Sequence, residues 1–449
     1  MNTTVLGCLA AAAAVTFAGA GSAADLESAF GGKLAGPVSA SDHDRFISVA
    51  EGPDGKIYAA GFVAVGKDSM IAVSRFNADG SLDASFGGGG TAAINVAVNG
   101  GSAEVGRGLV VEADGAVLVA GPFEANPGAP GNVGKDLDVA VLRLGPDGKL
   151  DAGFGEGGIA RIDLGEGKLV GETFITDNAW GLTARDGGYA VFAVTPNHEP
   201  GRSDVDFAVV GLSAGGALDP DFGTEGVTLA DVNGSGDSAR NIQRLADGKL
   251  VAAGYSSAGG VVSPVLIRLA ADGTLDDGFG KGGVANNVVL SGVTEAYNVV
   301  PQGENYILAG YGRGTDDKTL DMVVYRFLAD GSLDASFGEA GVTRVDLAGE
   351  DDRARNVTVL PDGRILAVGS GKLNAENVDT LAVLLVADGG PVTSFGENGR
   401  ILVDLGGPAD AFFGLALSAD QKSALLAGYK GAAPDTADKD DGVLVRLGL

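Results

Sequence analysis

Short apolar runs alternate with polar turn residues along almost the whole chain. Many runs are bounded by an Asp-Gly pair, such as Asp247-Gly248, which is followed by the small apolar stretch 250–253. Other runs, such as residues 322–327, precede a second Asp-Gly pair. Runs of this length between turn signals predict short β-strands. An Asp-Gly pair between two such runs predicts a tight hairpin, because the turn needs positive φ angles that glycine adopts easily.

The turn signals belong to a repeat of about 60 residues. A Phe-Gly pair marks each copy, with its phenylalanine at Phe30, Phe86, Phe154, Phe222, Phe279, Phe337 and Phe395. Each copy contains four apolar runs, which we label strands a to d. Strand a turns into strand b at the first Asp-Gly, and strand c reaches strand d through the second Asp-Gly and the Phe-Gly pair. Four-stranded units in such a repeat predict a β-propeller. A solenoid is the alternative, but this repeat is long for one coil.

The two ends of the chain predict how the propeller closes. The last copy ends at strand c, near residues 443–447, whereas Phe30 and the apolar run 34–38 near the start supply a strand d. Pairing both ends in one blade removes exposed sheet edges. We therefore predict an all-β fold: one seven-bladed β-propeller domain of four-stranded blades over residues 25–449, closed by N- and C-terminal strands that share a blade.

The wording of the repeat is similar to that of a known family. Residues 79–87 and 330–338 both read Asp-Gly-Ser-Leu-Asp-Ala-Ser-Phe-Gly. This motif resembles the delta-60 repeat family of bacterial exported proteins, and the resemblance extends over essentially all of the chain after residue 24. It implies a propeller-type repeat and, for most members, no assigned activity. Two copies depart from the motif: Gly215 replaces the aspartate before Gly216, and no Leu-Asp follows Gly389.

The first 24 residues predict export. They carry no charged side chain, and an apolar run over residues 6–17 is followed by small residues up to Ala24. This pattern is typical of a secretory signal peptide and is too short for a transmembrane helix, which needs about 20 residues. The alternatives are a disordered alanine-rich tail and a lipoprotein box around Cys8. With a signal peptide at residues 1–24, the mature chain has lost its only cysteine and is secreted or periplasmic.

The charge of the chain restricts its partners. Lysine and arginine number 31 against 59 aspartates and glutamates, which gives a net charge of −28. Nucleic acids and anionic membranes attract basic surfaces, so neither is an expected partner. A mature chain without cysteine has neither a thiol nucleophile nor a zinc–thiolate site. We expect a monomer without a transmembrane segment, which binds a protein or polysaccharide partner.

Two rows of residues predict a site near one mouth of the propeller channel, because strand a of each blade lines that channel. Five residues before the first apolar residue of strand a, six of seven copies are acidic: Asp42, Glu104, Asp177, Asp237, Asp352 and Asp410. We call this set the acidic row. Three positions later comes a second row: Arg45, Arg107, Trp180, Arg240, Tyr297, Arg355 and Phe413.

The acidic row has two interpretations. In the first, each acid caps the entry to strand a or pairs with a nearby arginine. In the second, the row binds a cation or a polar ligand on the axis, because crowded carboxylates repel and Ca²⁺ would relieve that repulsion. Asp79 and Asp83 in the turns are open to the same two interpretations, although they lack the spacing of an EF-hand. No cofactor other than Ca²⁺ is suggested.

Residues for catalysis are few. The chain has two histidines, His43 and His198, and no Gly-x-Ser-x-Gly elbow, phosphate loop or zinc motif. A rigid scaffold with variable loops favours binding. We therefore predict an exported acidic β-propeller that acts as a binding scaffold for an envelope or extracellular partner, either a protein or a polysaccharide. The alternatives are a metal-assisted hydrolase or lactonase-like enzyme with its site at the channel mouth, and a purely structural surface module.

Overall fold

The computed structural model describes residues 43–65, 68–97, 104–125, 136–170, 173–197, 199–373, 377–432 and 440–449. Within these ranges the fold is all-β, and the chain forms no α-helix. No helix that could cross a membrane is found there. The predicted leader at 1–24, the strand predicted at 34–38 and the residues Phe30, Asp42 and His198 lie outside the described residues.

The strands form successive antiparallel units, in which each strand pairs with the next one along the chain. Unit one contains β1 (His43–Glu51), β2 (Ile57–Val65), β3 (Asp68–Phe76) and β4 (Thr91–Ile94). Unit two contains β5 (Gly108–Val111), β6 (Val117–Glu124), β7 (Leu137–Leu144) and β8 (Ile159–Ile162). A separate hairpin follows, made of β9 (Lys168–Val170) and β10 (Thr173–Ile175). Unit three contains β11 (Asn178–Arg185), β12 (Gly188–Pro196), β13 (Val205–Ser213) and β14 (Val227–Ala230).

Unit four contains β15 (Asp237–Arg244), β16 (Leu250–Ala258), β17 (Val261–Leu269) and β18 (Val284–Asn286). The short β19 (Val293–Thr294) pairs with β17 and with the second strand of the next unit, so that units four and five form one sheet. Unit five contains β20 (Asn298–Gln302), β21 (Asn305–Arg313), β22 (Asp321–Phe327) and β23 (Val342–Val345). Unit six contains β24 (Arg353–Val359), β25 (Ile365–Lys372), β26 (Val378–Leu385) and β27 (Arg400–Val403). The last unit has three strands among the described residues: β28 (Ala411–Leu417), β29 (Ser423–Lys430) and β30 (Asp441–Gly448).

The predicted Asp-Gly turns form as expected, and the glycine is the essential residue. Gly80 has a φ of 80°, and its N–H donates to the carbonyl of Asn77 at 2.9 Å. Where the third copy lacks the aspartate, Gly216 adopts a φ of 83° and its N–H donates to Ser213 at 3.0 Å. The departure from the motif therefore leaves the turn intact. The aspartate adds a local bond, because Asp79 accepts the N–H of Ser81 at 3.0 Å.

In units one to five the Phe-Gly pair joins each unit to the next, which the sequence alone does not reveal. The ring of Phe337 is fully buried, and the N–H of Gly338 donates to the carbonyl of Asp388 in the following unit at 2.8 Å. The guanidinium of Arg326 lies 5.1 Å from the centre of the Phe337 ring and pairs with Asp334, Nε to Oδ2, at 2.7 Å. The repeated motif is thus a connector between units as well as a turn.

The hydrophobic core is divided into clusters that lie between neighbouring units. Between units three and four, for example, Phe192 and Phe207 pack with Ile242. The first and last units share a cluster of the same kind, which includes Phe46, Val49, Ile57, Ala59, Phe76, Leu425, Ala427 and Leu444. Neighbouring units are therefore packed against each other, and the two ends of the described chain are in contact.

Candidate functional site

A β-bulge at one place in the first strand positions the second row. In five units the pairing of the first strand with the second shifts by one residue. The residues that the pairing skips are Ile47, Trp180, Arg240, Arg355 and Phe413. In units two and five the first strand begins directly after Arg107 and Tyr297. A bulge redirects the side chain of the extra residue. The same backbone irregularity therefore orients the residue at this position in all five units.

The bulge corrects the alignment of unit one. Ile47 occupies the bulge there, whereas Arg45 lies two residues earlier and pairs with Phe62. The sequence alignment took Ile47 as the first core residue of the strand, but the buried core residue is Val49. Counting five residues back from Val49 places Asp44, rather than Asp42, at the position of the acidic row. Asp44 is 2% exposed, and the described members of that row are also buried, with exposures of 0–2%.

The first strands of all seven units line one cavity of about 610 Å³, which we call the first-strand cavity. Its wall includes every residue of the second row together with Ile47: Arg45, Ile47, Arg107, Trp180, Arg240, Tyr297, Arg355 and Phe413. Ser48, Asn241, Asn298 and Asn356 line it one residue further along the strands. None of the described residues in its wall is an aspartate, glutamate or histidine. The structure therefore brings the second row together and leaves the acidic row outside the cavity wall.

Glycines that follow the bulged residues let the first strands of neighbouring units approach each other closely. A Cβ on Gly181 would lie 2.8 Å from the backbone nitrogen of Ile242 in the next unit. A Cβ on Gly414 would lie 3.0 Å from the backbone of Ser48, in unit one. The first distance excludes a side chain without a shift and the second leaves almost no room for one, so the strands of neighbouring units are in close backbone contact here. The contact between Gly414 and Ser48 joins the last unit to the first.

Cations and aromatic rings alternate around the cavity. The guanidinium carbon of Arg107 lies 3.8 Å from the centre of the Trp180 ring, and that of Arg240 lies 4.1 Å from the same ring. Arg240 is also 4.6 Å from the ring of Tyr297, which is 4.5 Å from Arg355. Arg355 in turn lies 5.2 Å from the ring of Phe413. Five successive cation–π contacts thus connect six units.

The four arginines of the cavity differ in how their charge is balanced. Nε of Arg45 donates to Asp440 Oδ2 at 2.8 Å. Arg240 lies 3.9 Å from the carboxylate of Glu295. Arg107 donates to the carbonyl of Ala179 at 3.1 Å and to the Asn178 side chain, and no carboxylate among the described residues pairs with it. Desolvation, followed by the positive charge of Arg240, lowers the pKa of Arg107 to about 9, so Arg107 stays charged at neutral pH.

Arg355 is the arginine with the fewest partners. It forms no hydrogen bond and no ion pair with the part of the chain that the structure describes, and its Nε is buried without a hydrogen-bond partner. Its contacts are with the aromatic rings of Tyr297, Tyr311 and Phe413. Nε of Arg240 is buried and unpartnered in the same way. Two guanidinium groups in this wall therefore retain donors that the protein does not use.

The acidic row supports the connections between units. Its described members are almost fully buried, and each accepts backbone N–H bonds from the segment that leads into the first strand. Asp177 accepts from Leu164 at 2.7 Å, Asp352 from Leu347 at 2.8 Å, and Asp410 from Leu405 at 2.8 Å. In the remaining units, the acceptors are Glu104 for Val96 and Ala97, Asp237 for Val232, and Thr294 for Leu290. These bonds fit the first interpretation, in which the acids cap the entry to the strand.

Burial raises the pKa of these carboxyl groups. The pKa of Asp177 rises to about 7, that of Asp237 to about 8, that of Asp352 to about 7 and that of Asp410 to about 6. Desolvation is the largest cause in each case, and the backbone N–H bonds oppose it only in part. For Glu104 the pKa is also raised by burial.

Three groups of aspartates have a geometry that could hold a metal ion: Asp138, Asp163 and Asp177; Asp204, Asp206 and Asp231; and Asp379, Asp404 and Asp410. In the second group Arg202 supplies a positive charge, since it pairs with Asp204 at 2.5 Å and with Asp231 at 2.9 Å. No ion pair to a lysine or arginine in the described ranges is found for the other two groups. Their carboxylate oxygens are the ligands that Ca²⁺ prefers, and they lie outside the first-strand cavity.

The remaining candidate residues have structural surroundings. The carboxylate of Asp83 pairs with Nε of Arg75 at 3.0 Å, and Asp79 caps its turn. These contacts fit a role of both aspartates in turn formation. His43 is half-exposed, and its Nδ1 accepts the N–H of Asp440 at 3.3 Å.

Comparison with known proteins supports the repeat. A family model described as "Domain of unknown function (DUF5122) beta-propeller" matches residues 52–86, 245–279 and 306–337. None of the curated proteins matches the sequence. Among solved structures, the polysaccharide lyase Uly1 is 9% identical with a TM-score of 0.49, and the match covers 91% of each chain.

Two further solved structures are similar over most of their length. Sqt1 from Chaetomium thermophilum is 12% identical with a TM-score of 0.43, and the match covers 91% of this chain and 96% of that one. The periplasmic gluconolactonase PpgL from Pseudomonas aeruginosa is 14% identical with a TM-score of 0.39, with 81% and 86% covered. The three matched sequence stretches, together with the all-β antiparallel sheets, support a β-propeller repeat family for this chain.

Proposed function

We propose that the protein is a seven-bladed β-propeller that acts as a binding module, with the first-strand cavity on the propeller axis as its ligand site. One observation carries the proposal: a single cavity receives side chains from the first strand of every unit. Repeated strands that surround one cavity supply a rigid wall, and the side chains on that wall vary from unit to unit. This combination is suited to specific binding.

Contacts between the first and last units support closure of the ring. The two units share a hydrophobic cluster, and the N–H of Asp44 donates to the carbonyl of Asp440 at 3.0 Å. The seventh blade is then completed by the strand predicted at residues 34–38, which would pair antiparallel with residues 443–447. This arrangement protects the free edge of β30 from pairing with other chains.

The chemistry of the cavity wall favours binding over hydrolysis. Its described side chains are guanidinium, aromatic, amide and aliphatic groups, with no carboxylate or imidazole to act as a general acid or base at neutral pH. The metal-assisted alternative would need its carboxylates at the same cavity, whereas the clusters around Asp177 and Asp410 lie outside the wall. The chemistry of this wall therefore supports binding as the function of the cavity.

Export completes the proposal. The uncharged leader at residues 1–24 favours a secreted or periplasmic protein, and the net charge of −28 disfavours nucleic acid as a partner. The partner class is a polysaccharide or a protein of the envelope or the extracellular space.

The test is binding of the purified protein to an array of envelope and extracellular polysaccharides and envelope proteins. Ile47→Trp would fill the cavity without changing its charge, and Ile47→Val is the matched control. We expect wild type and Ile47→Val to bind the same array component and Ile47→Trp to lose it, with all three equally folded by circular dichroism. Equal binding by Ile47→Trp would place the site elsewhere, and no binding to any component would contradict the binding module.

A further inference from the structure

The charge of the first-strand cavity is opposite to that of the whole protein. The chain has 28 more acidic than basic residues, yet the described wall contains four arginines and no acid. Arginines that line one cavity repel each other unless nearby negative or aromatic groups offset their charge. The aromatic rings between Arg107, Arg240 and Arg355 provide part of that compensation. The remaining positive potential is focused in a cavity, where it would attract an anion.

The wall has hydrogen-bond donors without acceptors. Nε of Arg240 and Nε of Arg355 are buried and unpartnered, and the side chain of Arg240 is only 8% exposed. Buried donors without partners destabilise a protein, so an acceptor placed beside these two Nε–H groups would be strongly favoured. Guanidinium groups bind planar or tetrahedral oxyanions with two parallel N–H bonds. An oxyanion would satisfy both arginines.

The wall also has acceptors without donors. The side-chain oxygens of Asn241 and Asn298 are buried without a hydrogen-bond partner, and the hydroxyl of Ser48 is unpartnered as well. All three residues line the cavity. A simple inorganic anion supplies no hydrogen to these oxygens. A ligand that carries hydroxyl groups beside its oxyanion would match both kinds of unpartnered atom.

From these observations we infer that the first-strand cavity binds a small oxyanion that also bears hydroxyl groups, which is the chemistry of a sugar acid. The inference rests on the proposed function, because it assigns a ligand class to the same cavity. Arg240 and Arg355 bind the carboxylate, and Asn241 and Asn298 accept hydrogen bonds from the hydroxyls. A volume of about 610 Å³ accommodates such a ligand, either free or as one residue of an acidic polysaccharide.

The first experiment compares ligands on the unmodified protein by isothermal titration calorimetry. The probes are galacturonate, galactose, sodium sulfate and a tetramer of galacturonate. We expect galacturonate to bind at least tenfold more tightly than galactose, which lacks the charge, and more tightly than sulfate, which lacks the hydroxyls. If the tetramer binds with a lower Kd than galacturonate, the natural ligand is an acidic polysaccharide. If the tetramer and galacturonate have equal Kd values per galacturonate unit, the natural ligand is the free sugar acid. Equal affinities for galacturonate and galactose would overturn the inference.

The second experiment uses Arg355, because its removal breaks no hydrogen bond within the described chain. Arg355→Ala should weaken galacturonate binding at least tenfold. Arg355→Lys should retain part of it, since lysine keeps the charge but not the paired donors. The matched control is Arg244→Ala at the end of β15, where the arginine pairs with exposed Asp186 on the surface. Unchanged galacturonate binding in folded Arg355→Ala would also overturn the inference.

The two proposals can fail separately. If a neutral component of the array binds and Ile47→Trp abolishes that binding, the cavity is a ligand site and only the oxyanion class is wrong. If galacturonate binds and Ile47→Trp leaves its affinity unchanged, the oxyanion site lies outside the cavity. In that case the assignment of the site is wrong.

Discussion

The backbone N–H of Asp44 donates to the carbonyl oxygen of Asp440 at 3.0 Å, although the two residues lie at opposite ends of the described chain. The carboxylate of Asp44 also accepts the N–H of Gly442, and Asp440 pairs with Arg45. Asp44 thus occupies between the last and first units the place that the other members of the acidic row occupy between consecutive units. The junction between the last and first units, which are not consecutive in sequence, is therefore of the same kind as the junctions between consecutive units.

We expect Asp44→Ala to destabilise the protein by about 1–3 kcal/mol, because it leaves the N–H of Gly442 without its buried acceptor. The measurement is urea unfolding followed by fluorescence. Asp277→Ala, at an exposed position in a turn, is the control and should change the stability by less than about 0.5 kcal/mol. Equal stability of Asp44→Ala and wild type would show that the contact between the first and last units contributes little.

The hairpins could be predicted from the sequence because each depends on local residues. A glycine with positive φ defines the turn, as at Gly80 and Gly216, and the apolar runs on either side define the strands. The bulge in the first strand could not be predicted in this way. Ile47 is apolar and lies two residues after Arg45, so it resembles a core residue at the start of a strand, although it lines the cavity. The pairing of β1 with β2 determines this, and pairing is not visible in one strand alone.

The alternating arginines and aromatic rings of the first-strand cavity could be predicted only in part. Their positions form a row in the sequence, but the charges and rings come into contact only because neighbouring units lie side by side. Arg107, Trp180 and Arg240 are far apart in sequence, yet both guanidinium groups lie about 4 Å from the centre of the Trp180 ring. The order Arg, Trp, Arg, Tyr, Arg, Phe in six consecutive copies was the available signal. The carboxylates of the acidic row suggest a metal site, which stays a prediction, whereas their hydrogen bonds fit the capping interpretation.

Phe337→Ala tests the connector between units five and six. The side chain is fully buried beneath Arg326, so its removal leaves a cavity and should cost about 3–5 kcal/mol. Leu229→Ala is the control, because Leu229 is 57% exposed and its loss should be nearly neutral. Thermal unfolding by calorimetry gives both values. A small effect at Phe337 would mean that the Phe-Gly pair serves the turn alone.

The raised pKa values predict that the protein loses stability as the pH rises. The pKa of Asp237 is about 8 in the folded state and near 3.8 when unfolded, so the folded state binds the proton more tightly. The stabilisation is complete below about pH 4 and is lost between there and pH 8, by at most about 1.4 kcal/mol per pH unit for this group. Asp177 and Asp352 contribute in the same direction up to about pH 7.

Asp237→Asn isolates that contribution. The amide oxygen can still accept the N–H of Val232, and it carries no charge. We expect the variant to match wild type near pH 5, to exceed its melting temperature at pH 8, and to have a flatter dependence between these values. Asp247→Asn, at an exposed turn, should follow the wild-type curve. A wild-type melting temperature that rises from pH 5 to pH 8, with Asp237→Asn parallel to it, would contradict the assignment.

Trp180 lies between two arginines, so its contribution to the free energy of unfolding should depend on the salt concentration. Arg107 and Arg240 lie on the same ring at 3.8 and 4.1 Å. Trp180→Ala removes both cation–π contacts and leaves the guanidinium groups to repel each other, so we expect a loss of about 2–4 kcal/mol at low ionic strength. Salt screens the repulsion but restores none of the lost packing. The loss should therefore become smaller, without vanishing, as NaCl is raised from 10 mM to 500 mM in urea unfolding experiments.

In an Arg107→Gln background the salt-dependent part of the Trp180→Ala effect should disappear, because one of the two charges is gone. If Trp180→Ala has the same effect at every salt concentration in both backgrounds, the ring acts only by filling space.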